Sequence, residues 1–518
     1  MIESELKITL DRAGLSRLRR HPALAALRLA PRRSETLVSV YYDTPGHALA
    51  AAGVSLRLRR VGRMWVQTVK QRAGGTASSG FYSHLESECA APGGRLVLDG
   101  PDPDGVLAAI SVATDGAPLS PIFETRMRRV VERLAPAGTD EVELALDDGE
   151  IRAGDRTAPI REAEFELKSG DVAAVFDVAR RLFETGPVRF AASNKAARGY
   201  RLLEVGEAEA PSSPVKASVL KIEPRTTVET VAGQVLRDCL AQIAGNMAVI
   251  ADSDAIEGPH QLRIGLRRLR TALSVLAPSL GRESVAPVSE TARELGRLVG
   301  RLRDADVLID EVAAPALALG LDSEASAALL AALEARRSRA RAEVRTSLAA
   351  SGPVGFLFDL GRFVEGRGWL VPGDYGQTER LAAPIDDLAP AMLGKRHRRV
   401  MKAGRKIRKL DADGLHALRK ELKKLRYTID MLGPIYPADE VAPYLSALKE
   451  LQDGFGSLND AAMAQATLSG PDAPAPADPA AQRGIGWVLG TLTVRVADDR
   501  PRLFERWGRL HEQDPFWE

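Results

Sequence analysis

The pattern of apolar and polar positions changes near residue 205. Before it, the two classes alternate with a period of two in short segments, at residues 3–10, 36–43, 54–59, 65–70, 125–134, 141–146 and 162–167. This alternation is typical of half-buried β-strands. Interruptions near residues 12–29, 103–113 and 171–184 predict helices. The first part of the chain is therefore predicted to be an antiparallel sheet or barrel with few helices.

Residues 206–218 are small, polar and proline-containing, which predicts a linker. Beyond them, Ala-, Leu- and Arg-rich segments follow the 3.6-residue period of helices almost to the end. Residues 470–479, rich in Pro, Ala and Asp, predict an exposed loop. We therefore predict a first domain at 1–205, a linker at 206–218 and an all-α domain at 219–518.

The helical part contains an internal repeat. Residues 260–270 (HQLRIGLRRLR) align with residues 416–426 (HALRKELKKLR), and residues 302–304 align with 458–460. The offset is 156 residues in each case. A constant offset over such a distance predicts duplicated helical bundles.

Composition narrows the functional classes. The 518 residues are 45% hydrophobic and 27% charged, as in an ordinary globular protein and unlike a disordered or membrane-embedded chain. Two distant cysteines favour neither a disulfide framework nor a zinc site. The start is acidic from Glu3, unlike a signal peptide, and no run of about 18 apolar residues occurs. We expect a cytoplasmic protein.

Charged residues share one face on many of the predicted strands. These faces carry Glu3, Glu5 and Lys7; Arg57 and Arg59; Lys70; Arg126 and Arg128; Glu141 and Glu143; and Glu162 and Glu164. One interpretation is a solvated outer surface with cross-strand ion pairs. The other is the lumen of a closed barrel, where carboxylates hold Mg²⁺ or Mn²⁺ while Arg and Lys bind phosphate. Segregation of the two signs onto different strands favours the lumen.

The N-terminal part resembles the CYTH domain, the triphosphate tunnel metalloenzyme superfamily. The resemblance rests on Glu3-x-Glu5-x-Lys7, followed in order by Tyr42-Asp43-Thr44, Arg57-x-Arg59, Thr68-x-Lys70, Glu162-x-Glu164-x-Glu166 and Lys195. It implies an eight-stranded antiparallel β-tunnel in an α+β domain, acting on triphosphates with Mg²⁺ or Mn²⁺.

The resemblance also implies roles for individual residues. The expected catalytic residues are Glu3, Glu5 and Lys7; the expected substrate-binding residues are Arg57, Arg59, Lys70, Arg126, Arg128 and Lys195; the expected metal ligands are Glu3, Glu5, Glu141, Glu143, Glu162 and Glu164. His84 stands where relatives often place an arginine. It is either a weaker, pH-dependent phosphate contact or a plain surface residue.

The predicted helices carry basic stripes. His260, Arg263, Arg267 and Arg270 lie on one helix face, and the second repeat places His416, Arg419, Lys423 and Arg426 in the same way. Residues 395–409, which include Arg398 and Arg405, contain nine Lys or Arg and no acid, whereas the equivalent residues 239–253 contain neither Lys nor Arg. The fold therefore does not require this charge, which favours a polyanion-binding face over a solvated one.

These helices resemble the CHAD domain, through His260-x-x-Arg263, Leu302-Arg303-Asp304, His416-x-x-Arg419 and Leu458-Asn459-Asp460. The resemblance implies helical bundles that bind inorganic polyphosphate through ten basic-face residues. These are His260, Arg263, Arg267, Arg270, Arg398, Arg405, His416, Arg419, Lys423 and Arg426. The combined prediction is a metal-dependent hydrolase of inorganic triphosphate that also binds polyphosphate, with an association with polyphosphate granules.

Three alternatives remain at this point. CYTH relatives also include thiamine triphosphatases and adenylate cyclases, so thiamine triphosphate or ATP is a second class of substrate. A non-catalytic polyphosphate-binding or granule-targeting protein is another class. The presence of both charge signs in the expected tunnel argues against it, because pure binding would not need Glu3, Glu5, Glu162 and Glu164. A nucleic-acid binder is disfavoured because aromatics make up 5% of the chain and no recognition motif occurs. No membrane partner is expected.

Overall fold

The computed structural model describes residues 2–72, 80–100, 102, 105–210, 212–471 and 473–518. The chain forms two compact units. One comprises Met1–Val215, Leu240–Ser253 and Ala349–Gly368, and the other comprises Lys216–Cys239, Asp254–Leu348 and Trp369–Glu518. The boundaries predicted at residues 205 and 219 remain a prediction.

The first unit contains a closed barrel. Its strands are β1 (Ile2–Thr9), β2 (Arg33–Asp43), β3 (Val54–Val61), β4 (Met64–Arg72), β5 (Phe81–Ala90), β6 (Ser120–Leu134), β7 (Glu141–Ala153), β8 (Arg156–Ser169) and the short β9 (Arg189–Phe190). They follow the order β5-β4-β3-β2-β6-β7-β8-β1-β9, and β1 also pairs with β5. All pairings are antiparallel. Strands β1 to β8 close into a barrel, and the short β9 pairs with β1. The predicted eight-stranded antiparallel barrel is confirmed.

Helices lie between the strands of this unit. They are α1 (Arg12–Leu18), α2 (Pro22–Leu27), α3 (Ala48–Ala51), α4 (Val106–Thr114), α5 (Ala173–Leu182) and α6 (Lys195–Val205). Helices were predicted near 12–29, 103–113 and 171–184, where α1 and α2, α4, and α5 lie; residues 103 and 104 are outside the described part. Helix α6 was not predicted. Its start is fixed by Asn194, whose side chain accepts a hydrogen bond from the Ala197 amide at 2.9 Å.

The alternation of side chains gives the barrel two different faces. Leu6, Ile8 and Phe165 are fully buried on the outer face, where α5 packs against β1, β7 and β8. The inner face carries charge over part of its length. At one end, however, it is filled by an apolar cluster that includes Leu37, Met127 and Ile151, together with Leu202 of α6. The lumen is therefore a charged chamber above an apolar core.

The rest of the chain is helical. After residues 206–227, whose described part contains no helix, come α7 (Val228–Asp252), α8 (Glu257–Leu280), α9 (Arg282–Val307), a π-helical turn (Leu308–Ala313), α10 (Ala314–Leu317), α11 (Ser323–Leu348), α12 (Ser351–Glu365), α13 (Tyr375–Ala382), α14 (Ile385–Gly404), α15 (Ala412–Leu432), α16 (Ala438–Leu468) and α17 (Pro479–His511). The repeat persists in the structure, because α9 and α16 begin 156 residues apart. None of the described helices is both long and apolar enough to cross a bilayer.

Candidate functional site

A cavity of about 640 Å³ occupies the charged part of the barrel. Its walls come from β1 to β8 and from the first turn of α6. Predicted site residues that line it are Glu3, Glu5, Lys7, Arg57, Arg59, Lys70, Glu143, Glu164 and Lys195. Of the two interpretations that the sequence left open for these charges, the lumen is therefore the one the structure adopts.

Three buried carboxylates meet beside this cavity, and of these Glu164 lines its wall. Asp147 on β7 lies opposite Glu162 on β8 in the strand register, and Glu164 follows two residues later on the same face. One carboxylate oxygen from each residue lies within 4.8 Å of the others, and no further group of this kind was found in the described residues. An all-oxygen set of buried carboxylates suits a hard divalent cation such as Mg²⁺ or Mn²⁺.

Positive side chains neutralise this carboxylate cluster. The Nζ atom of Lys195 lies 2.7 Å from Asp147 Oδ2 and 2.8 Å from Glu164 Oε1, and it also contacts Glu162. Lys7 Nζ lies 2.8 Å from Glu164 Oε1 and 2.9 Å from Glu5 Oε1. Burial alone would raise the pKa of Glu164, but Lys195, Lys7 and Arg129 together lower that pKa well below its usual value. The carboxylate is therefore ionised at neutral pH.

A second set of acids lies at the junction of β1, β4 and β5. Lys70 Nζ contacts Glu3 and lies 3.3 Å from Glu86 Oε2, its cross-strand neighbour. Thr68 Oγ1 donates a hydrogen bond of 2.8 Å to Glu88 Oε1. Glu86 and Glu88 line the cavity without having been predicted as site residues. Their alternation with His84 was the signal that could have identified them.

The side of the cavity formed by β2, β3 and β6 is rich in cations. Arg57 and Arg59 lie on β3, with Arg129 on β6. Burial, together with the positive charges of Arg57 and Arg129, lowers the pKa of Arg59 to about 10. The three guanidinium groups thus repel one another, and an anionic ligand in the cavity would relieve that repulsion.

Two predicted substrate-binding residues, Arg126 and Arg128, lie outside the cavity. Arg126 is exposed and donates to Glu124 Oε1 at 2.8 Å, and Arg128 Nε lies 3.0 Å from Ser34 Oγ. Arg129 faces the lumen instead. The cause is the apolar core at one end of the barrel: Met127 is buried there, so its strand face is the inner one. The prediction places the charged face of every strand inside the barrel. On β6 this rule selects the face of Arg126 and Arg128, which is the outer one.

Glu141, an expected metal ligand, also lies outside the cavity lining. The pairing of β7 with β8 shifts by one residue between Glu141 and Val142, and Glu141 contacts the exposed Arg133. It does not line the cavity, whereas Glu143 does. Glu141 keeps the parity of Glu143 but lies at the first position of β7, beyond the residues that line the cavity.

His84 lies inside the barrel, with only 5% of its surface exposed. Its ring stacks on that of Tyr82, with centroids 5.7 Å apart. Burial lowers the pKa of His84, so the imidazole is neutral at neutral pH. The alternative of a plain surface residue does not fit this position.

A separate basic groove lies within the helical unit. Two cavities of about 510 and 880 Å³ share Arg263, Arg267, Asp304, Arg419 and Lys423 as lining residues. The groove brings together eight of the ten predicted polyphosphate-binding residues: His260, Arg263, Arg267, Arg270, His416, Arg419, Lys423 and Arg426. Arg398 and Arg405 are exposed on or next to α14 and do not line it, while their buried neighbour Arg396 lines it and donates to Ser274 at 2.8 Å.

Repeat-related residues meet in this groove. Arg263 and Arg267 of α8 correspond, 156 residues later, to Arg419 and Lys423 of α15. Asp304 balances part of the charge, with its Oδ1 atom 2.7 Å from Arg263 Nη1. Burial, followed by the charges of Arg267, Arg419 and Arg263, lowers the pKa of Lys423 to about 6. The groove is therefore a concentrated positive site.

Comparisons with known proteins match a family to each part of the chain. The family model of the CYTH domain matches residues 1–200, and that of the CHAD domain matches residues 234–469. An uncharacterized protein of Mycobacterium tuberculosis is 27% identical over 470 residues, which cover 84% of this chain and 83% of that protein. An inorganic triphosphatase of Haemophilus influenzae is 31% identical over 182 residues, covering 35% of this chain and 49% of the triphosphatase.

Among solved structures, the CHAD domain from the plant Ricinus communis superposes with a TM-score of 0.50 at 22% sequence identity. The match covers 58% of this chain and 98% of that one. At this identity the likeness establishes the fold.

Proposed function

We propose that this chain, which carries a CYTH domain followed by a CHAD domain, hydrolyses inorganic triphosphate to pyrophosphate and phosphate in the barrel cavity, with Mg²⁺ or Mn²⁺ as cofactor. The helical groove binds inorganic polyphosphate. The similarity of residues in the CYTH part to an inorganic triphosphatase supports this proposal.

One observation carries the enzymatic part of the proposal. A single cavity is lined on one side by Glu164, which belongs to the buried carboxylate cluster with Asp147 and Glu162, and on the other side by Arg57 and Arg59. A site that only bound an anion would gain nothing from buried carboxylates, which repel phosphate. A site that holds a divalent cation against a phosphate chain needs both charges.

The residues have distinct roles in this scheme. Asp147, Glu162 and Glu164, with Glu5 beside them, would hold the metal ion, which supplies charge neutralisation and Lewis acidity when bound. Arg57, Arg59 and Lys70 would bind the phosphate oxygens and stabilise the negative charge that develops on the departing group. Lys7 and Lys195 contact the carboxylates of the cluster and also line the cavity. They therefore lie where the metal-binding carboxylates would meet the bound phosphate chain.

The lining of the cavity favours an inorganic substrate. Among the described residues that line it, Tyr41 and His84 are the aromatic ones, and both are almost fully buried. A nucleoside or thiamine moiety needs apolar or stacking surface, and these walls are dominated by charge.

The groove of the helical unit supports polyphosphate binding in a different way. It concentrates Arg263, Arg267, Arg419 and Lys423 in one place. A linear polyanion contacts several such groups at once. Carboxylates such as Asp304 lie beside them without forming a buried metal-type cluster in the described residues, so binding rather than hydrolysis is expected here.

The experiment is phosphate release by the full chain from triphosphate, ATP, thiamine triphosphate and long-chain polyphosphate, each with Mg²⁺, Mn²⁺ or EDTA. We expect metal-dependent release mainly from triphosphate, together with binding of long-chain polyphosphate. Preferential phosphate release from ATP or thiamine triphosphate would show that this compound, and not inorganic triphosphate, is the substrate. Polyphosphate binding without hydrolysis of any of these compounds would refute the proposed hydrolase activity and favour a non-catalytic polyphosphate-binding protein.

A further inference from the structure

Tyr41 lines the barrel cavity, although its residue type gave no reason to expect this. It lies on β2 directly opposite Arg57 of β3, and only 4% of its surface is exposed. The neighbouring Tyr42 points to the other face of the strand, where it packs against a cluster that includes Leu49 and Leu56. Two adjacent tyrosines therefore occupy opposite sides of the barrel wall.

The ring of Tyr41 is held firmly. It stacks on Phe123 of β6, with centroids 4.5 Å apart and planes inclined by 21°. Phe123 in turn contacts Tyr200 of α6 edge-on at 5.3 Å. Gly199 leaves room for this stack, because a Cβ atom there would lie 2.2 Å from the ring of Phe123. The hydroxyl of Tyr41 is consequently fixed in position.

The hydroxyl sits among positive charges. It lies beside the guanidinium group of Arg57, the cross-strand neighbour of Tyr41, and since a guanidinium group only donates hydrogen bonds, it cannot accept the hydroxyl proton. The hydroxyl proton is then available for another acceptor. The other titratable groups that face it are Arg59 on β3, Lys195 on α6 and the phenol of Tyr200. Burial would raise the pKa of Tyr41, but Arg57, followed by Lys195 and Arg59, lowers it below its ordinary value.

We propose that Tyr41 is a substrate-binding residue whose hydroxyl donates a hydrogen bond to a phosphoryl oxygen held by Arg57. A buried donor beside a fixed guanidinium group presents two hydrogen bonds in a set geometry to one phosphate group. The aromatic stack prevents the hydroxyl from turning away when the ligand arrives. This inference rests on the proposed binding of triphosphate in the cavity.

The test compares Tyr41→Phe with the matched control Tyr42→Phe in the full chain. Both changes remove one hydroxyl, and Tyr41→Phe keeps the ring that stacks on Phe123. We expect kcat/KM for triphosphate to fall about tenfold in Tyr41→Phe, as for the loss of a hydrogen bond to a charged group, and to change less than about twofold in Tyr42→Phe, where no substrate contact is expected. Equal values in wild type and Tyr41→Phe would overturn the inference while leaving the proposed function intact.

A second measurement does not depend on the variant being active. The phenolate absorbance of Tyr41 is obtained by alkaline titration as the difference between wild type and Tyr41→Phe, with and without triphosphate. Bound triphosphate adds negative charge, so the pKa of Tyr41 should rise and its phenolate signal should fall at a fixed alkaline pH. An unchanged titration in the presence of bound triphosphate would refute the contact. Absence of triphosphate binding by wild type would refute the proposed function and this inference together.

Discussion

Arg129 and Asp147 face each other across β6 and β7, with Arg129 Nη2 2.7 Å from Asp147 Oδ2 and Arg129 Nε 2.8 Å from Asp147 Oδ1. Arg129 also donates to Glu164 at 2.5 Å. This arginine therefore compensates part of the charge of the carboxylate cluster. Under the proposed function, Asp147, Glu162 and Glu164 would hold a divalent cation that supplies part of this compensation, and Arg129, which lines the cavity, could then contact phosphate.

Arg129→Lys is expected to lower kcat/KM for triphosphate by about tenfold or more. Lysine keeps the charge but loses the two parallel hydrogen bonds that the guanidinium group makes to Asp147. The measurement is the initial rate of phosphate release at saturating metal, with circular dichroism to verify folding.

The matched control for that change is Arg126→Lys, three residues earlier on the outer face of the same strand. Arg126 is exposed and paired with Glu124, so the change should leave the rate within about twofold. If Arg126→Lys proved as damaging as Arg129→Lys, the assignment of inner and outer faces on β6 would be wrong.

The same strand shows how far sequence reasoning reached. Alternation together with the ordered motifs predicted the barrel and nine of the residues that line the cavity, because charged residues at alternate positions of a strand share one face. On β6, arginines stand on both faces at Arg126, Arg128 and Arg129, and only the three-dimensional position of Met127 decides which face is inside.

Asp147 was missed for a different reason. It shares the face of Glu143 by simple parity, but no motif distinguished it from other acidic residues of that strand. Its role depends on cross-strand register with Glu162 and on Lys195, which enters from a helix that the pattern did not predict. Long-range register of this kind cannot be obtained from local periodicity.

In the helical unit, the constant offset of 156 residues predicted corresponding helices, and α9 and α16 start at that spacing. The sequence did not say that Arg267 and Lys423 would line the same groove. Periodicity identifies the polar face of each helix, whereas the packing of the helices decides which polar faces come together.

Polyphosphate affinity is expected to decrease as the pH rises above about 6. Burial and three arginines lower the pKa of Lys423 to about 6, and a bound polyanion would raise that pKa again. Binding then takes up a proton between about pH 6 and the ordinary lysine pKa of about 10.4, so a higher pH opposes it. Isothermal titration calorimetry in buffers of different ionisation enthalpy measures this proton uptake.

Lys423→Arg restores the residue of the first repeat and should abolish the proton uptake while retaining binding, since arginine stays charged. Lys420→Arg, an exposed position on the same helix, serves as the control and should behave like wild type. Proton uptake that persisted unchanged in Lys423→Arg would show that another group titrates.

Glu132→Gln is expected to destabilise the barrel without impairing its chemistry. Glu132 is fully buried on the outer side of β6, where Arg28 Nε donates to it at 2.7 Å and Arg32 Nε at 2.5 Å. Glutamine replaces one acceptor oxygen with an NH₂ donor and removes the negative charge that Arg28 and Arg32 share, which should lower the free energy of unfolding by about 1–3 kcal/mol. Thermal and denaturant unfolding measure the effect.

Glu124→Gln is the corresponding control, because Glu124 pairs with an exposed arginine on the same strand. Its free energy of unfolding should change by less than about 1 kcal/mol. A loss of catalytic rate in folded Glu132→Gln would indicate that the outer face contributes to the reaction, contrary to the present account.

The most direct measurement compares Asp147→Asn with Asp148→Asn in metal-dependent hydrolysis of triphosphate. The two residues are adjacent on β7, but Asp147 is fully buried in the carboxylate cluster, whereas the partly exposed Asp148 pairs with Arg19 at 3.3 Å. We predict that Asp147→Asn reduces phosphate release at least tenfold and requires more Mg²⁺ or Mn²⁺ for half-maximal rate. Asp148→Asn should match wild type. A wild-type rate and metal dependence in Asp147→Asn would contradict the placement of the metal-dependent reaction at this cluster.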